Sequence, residues 1–415
     1  MHLTPLMKRV LIGAGILVAA GIFGFIMYVV LFGLGGDDVT NGNTSANTNG
    51  STLPTSNTGT GGTNALPNVN GISNGNTPIS LPDVPTVAQG GVTMTDAVTT
   101  TAADGFVVSV DGSSTRYYDR VSGRLYERSA DGTLRELSSQ VFPQVEDLQW
   151  SPTGEAVLLT FPDGRTILFD IEAQRQYSLP TGSREFSFAQ NGAKITYKHT
   201  IGGEDFLVVS NPDGTGIEAI ADLGANGGNV IPTWSPANDI VAVEAVSVNG
   251  EQQEVFPIGL RGENFKSFTV DGYGFQGVWS PNGTRLLYSV HNSSSDYNPR
   301  LWVVDALGEA IGDNHLSVGL TTWAEKCVFA SETQLYCAVP DALPSSSGLY
   351  PELAVDVTDS IYVVDLTTST RRLVAVPLDE QGGAFRVTDL RLDSAQSVLY
   401  FTDARSSTVR QLKLK

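Results

Sequence analysis

The side chains able to do chemistry are sparse in this chain and mostly far apart. The four histidines, His2, His199, His291 and His315, share no metal-ligand spacing with one another or with the two cysteines, so a zinc-type centre has no ligand set in the sequence. Adjacent carboxylates stand at Glu146 and Asp147 and at Asp379 and Glu380. On a strand such neighbours point to opposite faces, which suits solvated turn charges better than an acid and a base acting on one substrate. Gly71-Ile72-Ser73-Asn74-Gly75 matches the nucleophile pattern of hydrolases, but its flanks are Asn, Gly, Thr and Ser where that motif needs a strand before and a helix after. No phosphate loop or dinucleotide fingerprint is present; Gly13-Ala14-Gly15 falls inside an apolar run. The exception to the scatter is Cys327 with Cys337. A turn near Ser331 to Thr333 would set them face to face across a hairpin, where outside the cytoplasm they would form a disulfide; two buried thiols are the alternative. The sequence therefore offers no catalytic constellation, no metal site and no cofactor site.

The elements that could position anything lie in four segments. Residues 10–34 carry no charge and at about 1.5 Å per residue exceed the roughly 30 Å hydrocarbon core of a bilayer. The run is too long for the apolar core of a cleaved signal, so we expect an uncleaved transmembrane signal-anchor helix. Lys8 and Arg9 precede it and Asp37 and Asp38 follow it, which puts residues 1–9 in the cytoplasm and the rest outside the cytoplasmic (inner) membrane, single-pass. Residues 35–88 are Asn, Gly, Ser, Thr and Pro with scarcely an aromatic; they cannot bury enough apolar surface to order themselves and read as a disordered linker. Net charge is −19, and the charges before residue 90 sum to −1, leaving −18 on the remainder. An acidic domain repels phosphate backbones, so nucleic acid is excluded as a partner.

Beyond residue 89 the chain repeats. Trp150-Ser151-Pro152-Thr153-Gly154, Trp234-Ser235-Pro236-Ala237-Asn238 and Trp279-Ser280-Pro281-Asn282-Gly283 each precede a β-rich run, and weaker copies are anchored at Val110, Phe188, Trp323 and Leu392. The steps between anchors are 40, 38, 46, 45, 44 and 69 residues. A period of about 40 to 45 residues with four strands per copy is the signature of a β-propeller. Ser-Pro-x-Gly makes a tight turn, because Pro presets φ and Gly or Asn accepts positive φ, and the Trp before it should pack between blades. Asp170, Asp305 and Asp365 end third strands and should open the next turn. Seven anchors predict seven four-stranded blades over 89–415, six if the first copy is not independent. The last copy supplies only three strands, so Val92 to Val98 should complete it and close the ring.

At these turns the sequence resembles the WD40-like repeats of TolB-type periplasmic propellers and, more loosely, the propellers of prolyl-oligopeptidase relatives. The resemblance implies an all-β propeller that docks to envelope components. The α/β domain of TolB proteins is missing, so none of their partner-binding residues is carried over. The expected function is a non-enzymatic scaffold that binds an envelope protein or glycan, with a hydrolase or lyase working from the propeller channel as the alternative. The binding residues expected are Leu349, Tyr350 and Pro351 in the insertion that lengthens the last step, and Tyr297 and Asn298 in a second aromatic loop.

Overall fold

The structure, a computed structural model, describes residues 84–109 and 111–415. The expected membrane span, nearly all of the linker and the Val110 anchor lie outside the described residues; among those described, no helix is long and apolar enough to cross a membrane.

Among the described residues seven sheets form seven blades, each an antiparallel meander running outward from an inner strand, with one parallel strand added to the outside of blade six. The inner strands are Ala103–Val108, Asp147–Trp150, Ser183–Phe188, Val230–Pro232, Tyr273–Trp279, Cys327–Ser331 and Val387–Leu392, for blades one to seven. The turns between first and second strands share one face, called lower here, and those between second and third strands share the upper face.

The turn chemistry is as the residues dictate. Gly154, Asn238 and Gly283 adopt φ of 72°, 61° and 72°, and each donates its N–H to the Ser carbonyl three residues back at 2.9 Å. Gly reaches this region without a Cβ clash, and Asn tolerates it better than most residues. The Trp residues do seal blade seams. Trp150 Nε1 donates to Gly105 O of the preceding blade at 3.3 Å, and Trp279 Nε1 to Thr233 Oγ1 at 2.8 Å. Trp234 is buried against Ala189, Leu207 and Val209 of blade three. Burying such a ring is worth roughly 2–3 kcal/mol. Asp170 and Asp365 accept N–H groups of the following turn at 2.8 Å, from Ala173 and Thr367. Asp305 instead receives the amide of Asn314 at 2.7 Å.

The sixth copy corrects the sequence reading. Trp323 precedes the inner strand and lies at the upper face; the seam position belongs to Phe329, with Ser331 to Gln334 as the turn. The anchor steps around it are therefore 50 and 63 residues.

Ring closure also divides more finely than expected. Asp96–Ala97 pairs antiparallel with Arg410 and Gln411, completing blade seven. Gly91–Met94 instead runs parallel to Ala375–Leu378 as a fifth, outermost strand of blade six. Between them Thr95 is buried and takes two hydrogen bonds from the buried Arg410, at 2.9 Å to its O and 3.2 Å to its Oγ1. Earlier still, Val87 bridges Lys413, so the last residues assigned to the linker already lie along blade seven.

Cys327 and Cys337 are opposite each other in the first hairpin of blade six and are joined as a disulfide. Closing so short a loop contributes on the order of 2–3 kcal/mol. Chain recovered from an oxidising compartment and unfolded without reductant should show no titratable thiol, and replacing both cysteines by Ser should lower stability by about that amount; two reactive thiols would overturn the assignment.

Candidate functional site

The loop expected around Tyr297 and the insertion around Leu349 belong to adjacent blades and meet. Residues 292–299 join the second and third strands of blade five, and 341–358 do the same in blade six, so both rise from the upper face. Ser346 N donates to Asp296 O and Gly348 N to Tyr297 O, each at 2.8 Å, while Ser347 N donates to Asn298 Oδ1 at 3.1 Å. Asp296 and Tyr297 both sit in the left-handed region, at φ 52° and 55°, a geometry that costs non-glycine residues roughly 1–2 kcal/mol each and must be held by its surroundings. Gly348 allows the approach, since a Cβ there would lie 2.5 Å from Tyr297 O and 2.7 Å from His291 Cβ. The far end of the insertion is tied to blade seven, where Arg405 Nη2 donates to Asp356 O at 2.7 Å.

The result is a braced platform spanning blades five to seven. It exposes Tyr297, Leu349, Tyr350, Leu353 and Val355, each 37–54% accessible. Pro351 opens the short 3-10 turn Pro351–Ala354 of the platform. Asn298 has its amide oxygen committed to the loop junction and serves the platform's structure rather than its surface.

Beneath the platform, beside the channel mouth, is a pocket of about 300 Å³ walled by Trp323, Pro340, Pro351, Ala354 and Val357 and edged by Glu325, Lys326, Arg386 and Asp389. It exists because the 3-10 turn Ala324–Lys326 packs between the inner strands of blades five and seven. Lys326 Nζ donates to Asp359 Oδ1 at 2.5 Å, Val387 N of blade seven donates to Asp359 Oδ2 at 2.7 Å, and Asp359 N donates to Phe385 O at 2.9 Å. Asp359 is wholly buried and Lys326 nearly so. Burial raises the Asp359 carboxyl and lowers the Lys326 amine, and their contact opposes both shifts. With two charge-bearing donors and acceptors matched this closely, we assign the ion-paired form. Glu325 is exposed at the pocket rim, where partial desolvation raises its carboxyl against the opposing pull of Lys326.

Asp389 reaches the mouth through a recurrent distortion. The inner strands of blades one, three, five and seven each carry a bulge, with Gly105, Glu185, Gly274 and Asp389 at φ 51°, 54°, 68° and 48°. Bulges re-aim side chains. Glycine makes two of them strain-free, whereas Glu185 and Asp389 hold a disfavoured conformation, next to Lys198 and Arg391 at 2.5 and 2.9 Å. Sequence reasoning missed Glu325, Lys326, Asp359, Arg386 and Asp389. One available signal was Trp323 itself, which lacks the Ser-Pro turn of the other copies.

A larger cleft of about 600 Å³ between blades four and five contains Asn249, Gln252, Asp271, Arg300 and Trp302. Its polar groups largely satisfy one another, with Gln252 Nε2 donating to Asp271 Oδ1 at 2.7 Å and Asn249 Nδ2 to Gln252 Oε1 at 2.9 Å. Among the described residues no group of three or more His, Cys, Asp and Glu is placed to hold a metal ion.

No family model and no curated protein matches the sequence. Solved structures do match. An oligogalacturonate lyase in complex with manganese is 10% identical, over 77% of this chain and 93% of that one, with a TM-score of 0.55. The β-propeller domain of Cps50 (Swd1) from Myceliophteria thermophila is 9% identical over 77% and 98%, with a TM-score of 0.50. TolB from Acinetobacter baumannii is 12% identical over 66% and 62%, with a TM-score of 0.42. The likeness is one of fold. Fold alone does not fix function, which rests on this chain's own surface.

Two outcomes test the site's construction. Asp359→Asn leaves the Lys326 ammonium buried without a counter-charge and should cost about 3–5 kcal/mol in urea unfolding; adding Lys326→Met should restore most of the loss. His291, under the junction of the two loops, is buried with Nε2 unpaired, and burial lowers its pKa below the ordinary 6.5. The unfolded chain then takes up a proton that the folded chain resists, so the stability His291 contributes is present above that pH and lost on acidification. His291→Gln should lessen the slope of stability against pH between about pH 7 and 5.

Proposed function

We propose that this chain is a tethered scaffold whose propeller holds a protein partner of the cell envelope on the platform of blades five to seven. The observation that carries the reading is the hydrogen-bonded junction of the two longest loops between second and third strands, which fixes Tyr297, Leu349, Tyr350, Leu353 and Val355 in solvent. Apolar side chains grouped on a braced surface are a standing cost to a soluble domain unless something covers them. Tyr in such a setting supplies large contact area at low entropy cost. Exposed Glu352 and Asp356 lie beside these residues, so the complementary surface is apolar with a basic rim, which favours a protein over a neutral glycan.

In this reading residues 10–34 anchor the chain in the cytoplasmic membrane with Lys8 and Arg9 inside, and the joined cysteines fit the oxidising side. The test is a photo-cross-linking amino acid at position 350 of the full chain in its native membrane. A discrete protein adduct should appear in the carbonate-resistant membrane pellet, absent when the probe stands at Ile217 on the lower face. Tyr350→Asp with Leu353→Asp, the probe moved to position 349, should reduce its yield roughly tenfold or more. A chain extracted by carbonate would remove the anchor from the reading, and equal adducts at both probe positions would remove the platform.

A further inference from the structure

The pocket under the platform has a composition that specifies a ligand. Its floor and one wall are apolar, from Trp323, Pro340, Pro351, Ala354 and Val357. Its charged rim is unevenly satisfied. Lys326 is held by Asp359 at 2.5 Å, and Asp389 by Arg391 at 2.9 Å. Arg386, half-buried at the start of the inner strand of blade seven, has no ion pair or side-chain hydrogen bond among the described residues, and neither has the carboxylate of Glu325 a hydrogen-bonded partner. A guanidinium presents five N–H donors and no acceptor, in a fork matched to a carboxylate. The volume of about 300 Å³ is at the small end of ligand pockets and suits one large aliphatic residue with its main-chain groups.

We propose that this pocket binds an apolar amino-acid residue bearing a free carboxylate, the chemistry found at the C-terminus of a polypeptide and in a free N-acylated amino acid. The carboxylate pairs with Arg386, the side chain fills the Trp323 and proline-lined floor, and the amide N–H of the same residue donates to Glu325. Three contacts of different kind at one small site give selectivity that a general apolar patch lacks. Asp359, paired with Lys326 and accepting from Val387 N of blade seven at 2.7 Å, ties the floor to the next blade, so the site is formed before a ligand arrives. This deepens the reading of the upper face as protein-binding by naming what part of a partner would enter; it shares the turn Pro351–Ala354 with the platform, but its polar contacts, Arg386 and Glu325, are not platform residues.

The experiment is calorimetric titration of the full chain in detergent with acetyl-Ala-Ala-Ala-Leu, its C-terminal amide, and N-acetyl-leucine. The free-carboxylate tetrapeptide should bind roughly tenfold or more tightly than the amide, the loss expected for a charge-assisted hydrogen bond. Arg386→Gln should abolish that difference while leaving the thermal unfolding midpoint in place, and Arg386→Lys should restore part of it. N-acetyl-leucine binding as tightly as the tetrapeptide assigns the site to a free acyl amino acid, and much weaker binding assigns it to a chain terminus; both uphold the chemistry. Equal binding of acid and amide, or no binding of any probe at millimolar concentration, overturns the proposal. Tyr297→Asp, at a platform residue that does not line the pocket, should leave tetrapeptide affinity unchanged, so a failure of the pocket and a failure of the platform are read separately.

Discussion

The structure depends on a two-residue strand. Asp96 and Ala97 pair with Gln411 and Arg410 across the whole length of the domain, and without that pairing blade seven would have three strands and the two ends of the domain would not be joined in one sheet. A four-stranded sheet of this size cannot bury its own two faces, so each blade is stable only between neighbours. The pairing is short, and its reinforcement is correspondingly dense. Val98 N bonds Val409 O at 2.8 Å, Val409 N bonds Thr99 Oγ1 at 3.0 Å, and the buried Arg410 reaches back to Thr95.

The upper face inherits its order from that closed ring. Loops between second and third strands are free of the ring's packing demands, which is why one of them could lengthen to form the segment 341–358. Freedom of length did not become freedom of motion, because the insertion is bonded to blade five through Asp296 and Tyr297 and to blade seven through Arg405. Two left-handed residues at the tip of the blade-five loop show the local strain that such bracing must hold. Asp359 does the same job one layer lower, accepting from Lys326 of its own blade and Val387 of the next.

What could be read in advance was whatever has a local physical cause. The Trp-Ser-Pro-x-Gly turns could be recognised because Pro and Gly impose backbone angles, and the angles at Gly154, Asn238 and Gly283 are those such turns need. Cys327 and Cys337 could be paired because a hairpin register is set by its turn. The platform residues were chosen from loop composition, but that the two loops touch is a fact of blade order and leaves no mark in either segment. Trp323 misled because a Trp looks alike at either end of an inner strand, and only the missing Ser-Pro distinguished it. Asp359 and Asp389 were illegible for a stronger reason. Their meaning lies in partners 28 to 33 residues away or in a bulge that turns a side chain toward the channel, and neither is coded by the residues beside them.

The route by which the chain enters the ring has a mechanical side. Residues 84–90 arrive at the lower edge, near Lys413, and Gly91–Met94 then runs upward beside Ala375–Leu378. Tension on the N-terminus would therefore act along the axis of that strand, shearing its row of hydrogen bonds together instead of peeling them one by one. The seam of the ring is thus loaded in its stronger direction, and a propeller hung by this end would resist being pulled open at the place where its circle was joined.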